Sequence, residues 1–335
     1  MKKLFFFILL LACTFRFTFY VSNVNAQQVN LSISPPLLEV TIKPGKSLLI
    51  AYTLGNGGDP TIMRSSVVPF EPQGTTGNIK LHDEFEGPVQ FLLDNSDIQL
   101  NEPFFLRSNT KQQLLLRIRV PEGAPEGDYY YTLLNESDAP PAIDGVSATR
   151  AKATIGSNIL ITVTGNGQLE AKGKIALFDV LAPHLVSIFN TKIKVFDSND
   201  VVPIVLQIEN RGRNLVKPSG TITLRGNFGE LAQYNVLEQN ILSQSQRIVT
   251  ATPSSQLNCN NPRYQKFCSI PTSLMLSGFF LGNYNLSATV NFGEGTPNLY
   301  ASTSFIAIPF KFLFGLIVAL LIAVVLLQIY KAHKS

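Results

Sequence analysis

The 335-residue sequence predicts an all-β protein, two tandem Ig-like or fibronectin-like β-sandwiches followed by one C-terminal transmembrane helix. Three observations carry that prediction. Short apolar and β-branched runs recur between clusters of Gly, Pro, Asn and Asp, with hardly an amphipathic helical stretch among them. A polar, Gly-rich stretch divides these runs into two sets that share spaced motifs. Near the end, Phe312 to Ile329 is apolar and uncharged for about 18 residues, enough for a tilted membrane-crossing helix.

Met1-Lys2-Lys3 followed by the apolar run Leu4 to Ala12 has the layout of a secretory signal, too short for a membrane span. Val24-Asn25-Ala26 supplies the small residues for cleavage before Gln27, so residues 1–26 are expected to be removed. A competing reading takes Leu10-Leu11-Ala12-Cys13 as a lipobox with Cys13 lipidated.

In the first unit, residues 27–167, strands are expected at Leu48–Leu54, Gln112–Val120, Asp128–Leu134 and Asn158–Val163. In the second, 173–305, they are expected at Ile175–Val180, Val202–Ile208, Thr221–Leu224, Asn285–Phe292 and Ser302–Ile308. Two motifs recur. Asn56-Gly57-Gly58 matches Asn210-Arg211-Gly212 at an offset of 154, and Gly127-Asp128-Tyr129 matches Gly282-Asn283-Tyr284 at 155. A Gly-x-Tyr step entering a late strand is where sandwiches place a tyrosine corner, so Tyr129 and Tyr284 are expected to bury their rings and bond nearby backbone. The linker, Gly165-Asn166-Gly167 to Gly173, predicts two separately unfolding units. Glu71 to Glu86 and Asn135 to Thr149 read as irregular, the second as a protruding loop.

The helix is expected over 307–330, flanked by Lys311, Lys331 and Lys334. The basic tail 331–335 then lies in the cytoplasm and the sandwiches outside. Six of the 27 basic residues fall in the signal or anchor. Residues 27–305 therefore carry 21 basic against 23 acidic groups, a net of −2, which does not suit a nucleic-acid partner. In an extracytoplasmic setting Cys259 and Cys268 are expected to form a short-loop disulfide, and two cysteines are too few for a zinc site.

Catalytic and metal signals are sparse, and no cofactor is expected. His82 and His184 stand far apart, and no nucleophile elbow or zinc-protease helix occurs. Pro44-Gly45-Lys46-Ser47 lacks the leading glycine of a phosphate loop and reads as a turn. Asp197-Ser198-Asn199-Asp200 reads as a polar turn, with calcium binding as the alternative. Asn30, Asn135 and Asn285 head N-glycosylation patterns that matter only in a eukaryote, whereas the compact Lys-Lys signal looks bacterial.

Ser34-Pro35-Pro36-Leu37-Leu38-Glu39-Val40, Lys43-Pro44-Gly45 and Pro125-Glu126-Gly127-Asp128-Tyr129, set in this layout, resemble the bacterial WxL-interacting proteins. The resemblance implies a fibronectin-like first domain associated with peptidoglycan and a second domain contacting partner or host ligands. It transfers architecture but no binding residue, and the Cys259/Cys268 loop departs from it. The expected function is a non-enzymatic, membrane-anchored surface protein binding cell-wall polymer or another surface protein. The alternatives are an accessory subunit of a membrane or secretion complex, or a wall-glycan hydrolase using carboxylates among Asp83, Glu84 and Glu86.

Overall fold

Apolar residues alternate with polar ones along most runs, and the pleat turns that alternation into one inward and one outward face. A computed structural model describes residues 28–138, 152–188, 191–255, 270–293 and 295–334. The first ten strands are β1 (Leu31–Ser34), β2 (Leu37–Ile42), β3 (Ser47–Asn56), β4 (Thr61–Gln73), β5 (Asn78–Leu81), β6 (Gln90–Leu93), β7 (Pro103–Leu106), β8 (Thr110–Arg119), β9 (Gly127–Ser137) and β10 (Thr154–Val163). One sheet has the order β1-β3-β8-β6. The facing sheet runs β2-β10-β9-β4-β5, with β7 also on β4. Between them lie Tyr52 and Leu54 of β3, Leu114, Leu116 and Ile118 of β8, Tyr131 and Leu133 of β9, and Ile159 and Ile161 of β10. The chain changes sheets at Ser34-Pro35-Pro36. There Ser157 Oγ donates to the Pro35 carbonyl at 2.7 Å, and β2 then pairs in parallel with β10.

The second set is β11 (Gly173–Val180), β12 (His184–Ile188), β13 (Thr191–Asp197), β14 (Val202–Asn210), β15 (Ser219–Gly226), β16 (Leu231–Val236), β17 (Gln246–Ile248), β18 (Ala251–Thr252), β19 (Leu274–Leu276), β20 (Gly282–Asn291) and β21 (Leu299–Ile308). Sheet β11-β14-β17, with β19 also on β14, faces sheet β12-β13-β21-β20-β15-β16-β18. Its core joins Ile204, Leu206 and Ile208 of β14 to Phe196, Ile222, Leu286, Val290 and Phe305 from the larger sheet. Here too the last strand, β21, pairs in parallel with an early one, β13. The protein is therefore two β-sandwiches, and each strand expected from the sequence is found, though β8 stops at Arg119 and β20 at Asn291, one residue short of the expected ends.

Two expectations change. Glu71 to Glu86 is not all irregular, because β4 runs on to Gln73 and pairs with β5 through a turn in which Gly74 (φ 66°) and Gly77 (φ 84°) adopt left-handed backbone. Pro72 is tolerated because β9 pairs with β4 only as far as Pro69. Asn135 to Ser137 belong to β9 rather than to a loop, while residues 139–151 lie outside the described residues.

After Pro309 comes helix α1 (Phe310–Lys334). Its segment Phe310–Lys331 has a mean hydropathy of 3.0, long and apolar enough to cross a membrane, and none of it is buried among the described residues.

Candidate functional site

The repeated turn Gly127-Asp128-Tyr129 lies where the two sandwiches meet, because β9 begins at Gly127 beside the segment after β14. The Asp128 carboxylate accepts four donors. Thr162 Oγ1 at 2.8 Å and Asn214 Nδ2 at 2.9 Å reach Oδ1, and Tyr130 Oη at 2.9 Å and the Leu215 N–H reach Oδ2. Two of these donors come from each sandwich. A carboxylate so fully hydrogen-bonded makes a strong, directional clamp. Tyr130 extends it, since its hydroxyl also accepts the Ser243 N–H at 2.8 Å. Burial, and then the Asp128 charge, push the Tyr130 hydroxyl well above the ordinary tyrosine range.

An apolar patch backs this clamp: Phe70 and Leu160 from the first sandwich pack with Leu242 from the second, and Phe70 stacks on Tyr130 at 5.8 Å. At the edge of the seam, Glu39 of β2 receives Lys217 Nζ and Asn240 Nδ2. Burial alone raises the Glu39 pKa, but these two partners outweigh it and hold the carboxyl below its usual value. Farther along, the Ile248 N–H donates to the Thr75 carbonyl at 2.7 Å. A pocket of about 170 Å³ lies in this part of the seam, lined by Phe70, Gly77, Asn158, Asn240 and Arg247 among others. Arg247 Nη1 donates to the Asn240 carbonyl at 2.8 Å, its Nε has no hydrogen-bond partner among the described residues, and burial lowers its pKa. The pocket thus presents a partly desolvated guanidinium, a group suited to carboxylate or phosphate oxygens. This seam works against the separate unfolding that the polar linker suggested.

The residues singled out from sequence fall elsewhere. Tyr129 donates to the Pro125 carbonyl at 3.0 Å, but its ring is only partly buried, at the rim of the first core. Tyr284 is 2% exposed; its hydroxyl accepts the Leu281 N–H and donates to Glu230, both at 3.2 Å. Asn135 is fully buried and its Oδ1 accepts Ser65 Oγ at 2.6 Å, so its glycosylation pattern is inaccessible. Asp83, Glu84 and Glu86 are exposed between β5 and β6. His82 Nε2 stands 3.6 Å from Glu71. Asp197 and Asp200 face the Lys311 ammonium at 3.5 and 4.0 Å. Among the described residues no group of three His, Cys, Asp or Glu has metal-binding geometry. Cys259 and Cys268 lie outside the described residues; Lys331 and Lys334 fall in the last turns of α1.

Sequence reasoning passed over Asp128, Tyr130, Asn214, Glu39 and Arg247. The one available signal was Asp128 itself, since the matching position in the second unit is Asn283.

No protein-family model matches the chain, and no curated protein matches it. Among solved structures it is similar to the class 5 fimbriae chaperone CfaA, with 10% identity over 83% of this chain and 100% of that one, at a TM-score of 0.35. The E. coli chaperone DraB is 13% identical over 83% and 98%, at a TM-score of 0.36. A Porphyromonas gingivalis protein of unknown function is 15% identical over 83% and 98%, at a TM-score of 0.28. Likenesses this loose carry no functional inference.

Proposed function

We propose that this chain is a non-enzymatic, membrane-anchored surface protein whose two sandwiches stand outside the membrane and bind cell-wall polymer or another surface protein. The observation that carries this reading is the join at Pro309, where β21 of the second sandwich passes with a single intervening residue into an apolar helix that nothing among the described residues covers. A rigid β-scaffold on such an anchor suits loop- and seam-borne recognition better than chemistry. In this reading residues 1–26 are a cleaved signal, Lys331 and Lys334 keep the tail in the cytoplasm, and Cys259 bonds Cys268. Membership of the WxL-interacting proteins belongs to the same proposal.

The detergent-solubilised full chain is expected to be retained on purified peptidoglycan, or to cross-link on intact cells to a surface protein. If neither occurs, the binding role is wrong. Protease added to intact cells, with any outer layer permeabilised, should leave only a small C-terminal membrane fragment, and protection of the whole chain would reverse the orientation. Release of reducing ends from wall glycan would overturn the non-enzymatic part.

A further inference from the structure

Exposed apolar side chains are scattered over both sandwiches, but those at one end of the second sit where α1 departs. Gly282, at the start of β20, pairs with Ala307 near the end of β21, two residues before Pro309. Gly226, at the end of β15, pairs with Tyr284, and the turn to β16 projects beyond it. The β15–β16 turn and the loop before β20 are thereby held level with the start of α1. Phe228 in that turn is 73% exposed; in the loop, Phe279 is 63% and Leu281 40% exposed. The Phe228 ring lies against Gly282, where a Cβ would stand 3.5 Å from Cε2. Across the helix, Leu185 and Val186 of β12 are exposed and line a groove of about 730 Å³ with Phe310 and Lys311. The first turn of α1 is tied to the sandwich, because the Lys311 N–H and ammonium both reach Asp197.

We propose that this end of the second sandwich is seated in the bilayer surface, with Phe228, Phe279 and Leu281 inserted at the headgroup–acyl boundary on one side of α1 and Leu185 and Val186 on the other. Large apolar side chains left in water are costly when clustered, and a lipid interface is the one apolar medium that an uncovered spanning helix must bring to this level. Lys311 suits the same place, its ammonium at headgroup height between Asp197 and lipid phosphate. The seating rests on α1 crossing the membrane. It would fix the second sandwich's tilt and, through the Asp128 seam, the direction in which the first is presented.

The chain contains no tryptophan, so each single replacement reports its own surroundings. The full chain is reconstituted in phosphatidylcholine–phosphatidylglycerol vesicles with or without brominated acyl chains. Phe228→Trp and Phe279→Trp should emit at shorter wavelength and be quenched by the brominated lipid. Tyr300→Trp, on β21 roughly 26 Å from Ile308, should be neither. Leu320→Trp, mid-helix, should be quenched most. If Leu320→Trp is quenched while Phe228→Trp and Phe279→Trp behave like Tyr300→Trp, the seating is wrong and the anchor stands; a protein partner covering these residues would give that result. If Leu320→Trp is unquenched, anchor and seating fall together.

Discussion

In the first sandwich Asn56, at the end of β3, accepts the Gly58 N–H at 2.9 Å, and its amide nitrogen reaches the Asp59, Arg107 and Leu106 carbonyls at 2.8, 3.3 and 3.5 Å. In the second, Asn210 at the end of β14 accepts the Gly212 N–H at 2.9 Å and reaches the Asn214, Ile241 and Leu242 carbonyls at 2.8, 3.0 and 3.1 Å. The same residue does the same work twice. The tyrosines do not. Tyr284 stacks on Phe305 at 5.2 Å with Phe280 edge-on. In the first sandwich that place is taken by Tyr131, 1% exposed, stacked on Phe85 at 5.6 Å and edge-on to Phe91 at 4.8 Å, its hydroxyl on the Glu86 carbonyl at 3.1 Å. Tyr129 and Tyr131 share a face of β9, so a period-2 pattern allows either to fill the core. Cover decides between them, and Phe85 and Phe91 arrive from distant sequence. A repeated turn motif thus reports backbone geometry reliably, and says little about which ring is buried.

The largest expected effect tests that contrast. Tyr131→Ala and Tyr284→Ala should each destabilise the protein by about 3 to 5 kcal/mol, the range for losing a buried aromatic, and Tyr129→Ala by only about 1 kcal/mol. Thermal unfolding in detergent measures all three, and a Tyr129→Ala loss equal to that of Tyr131→Ala would erase the distinction.

Next come the asparagines. Asn210→Ala and Asn56→Ala each remove a side chain that bonds three carbonyls, at about 1 to 3 kcal/mol each. Asn210 should cost more, since all three of its contacts are short; a larger loss at Asn56 would mean that contact distance does not set the cost.

The clamp between the sandwiches makes the third prediction. A double-mutant cycle of Asp128→Ala and Asn214→Ala should show a coupling of about 1 kcal/mol, and calorimetry of the wild type should give one transition that Asp128→Ala broadens or splits. Additive losses with two well-separated wild-type transitions would make the seam energetically idle.

The smallest effects are in pH. Burial pushes the Tyr131 hydroxyl up to about 12, and Tyr129 is raised as well. Because the folded values exceed the unfolded one, this stability is complete below about pH 10 and disappears as pH rises through the folded values. Difference absorbance of Tyr131→Phe should lose a late phenolate step; losing an early step instead would contradict its burial. Glu39 runs the other way. Its pKa is depressed, so its contribution is present above the unfolded value and lost as acid takes the pH through the lower folded one, and Lys217→Met should weaken this acid dependence. An unchanged acid limb would show that Lys217 contributes nothing there.

Much of the fold was legible because its signals are local. Leu114, Leu116 and Ile118 alternate with Leu115, Arg117 and Arg119 along β8, and alternation of that kind requires one buried face whatever the partner strand. The β4–β5 hairpin was hidden because Pro72, Gly74 and Gly77 signal a loop, and only the limited reach of β9 permits a strand there. Nothing near Asp128 in sequence announces Asn214 and Leu215, 86 and 87 residues away.

By itself, then, the sequence determined the strand content, the doubling of the Asn-x-Gly and Gly-x-Tyr turns, and an apolar helix of membrane length, because each depends on periodicity or composition within one short segment. The tertiary structure alone decided that Tyr131 rather than Tyr129 fills the first core, that Asp128 and Tyr130 join the two sandwiches, and that Phe228 and Phe279 flank the start of α1. Each of those depends on which distant segments the sheet registers bring together, and register is a property of the whole sandwich.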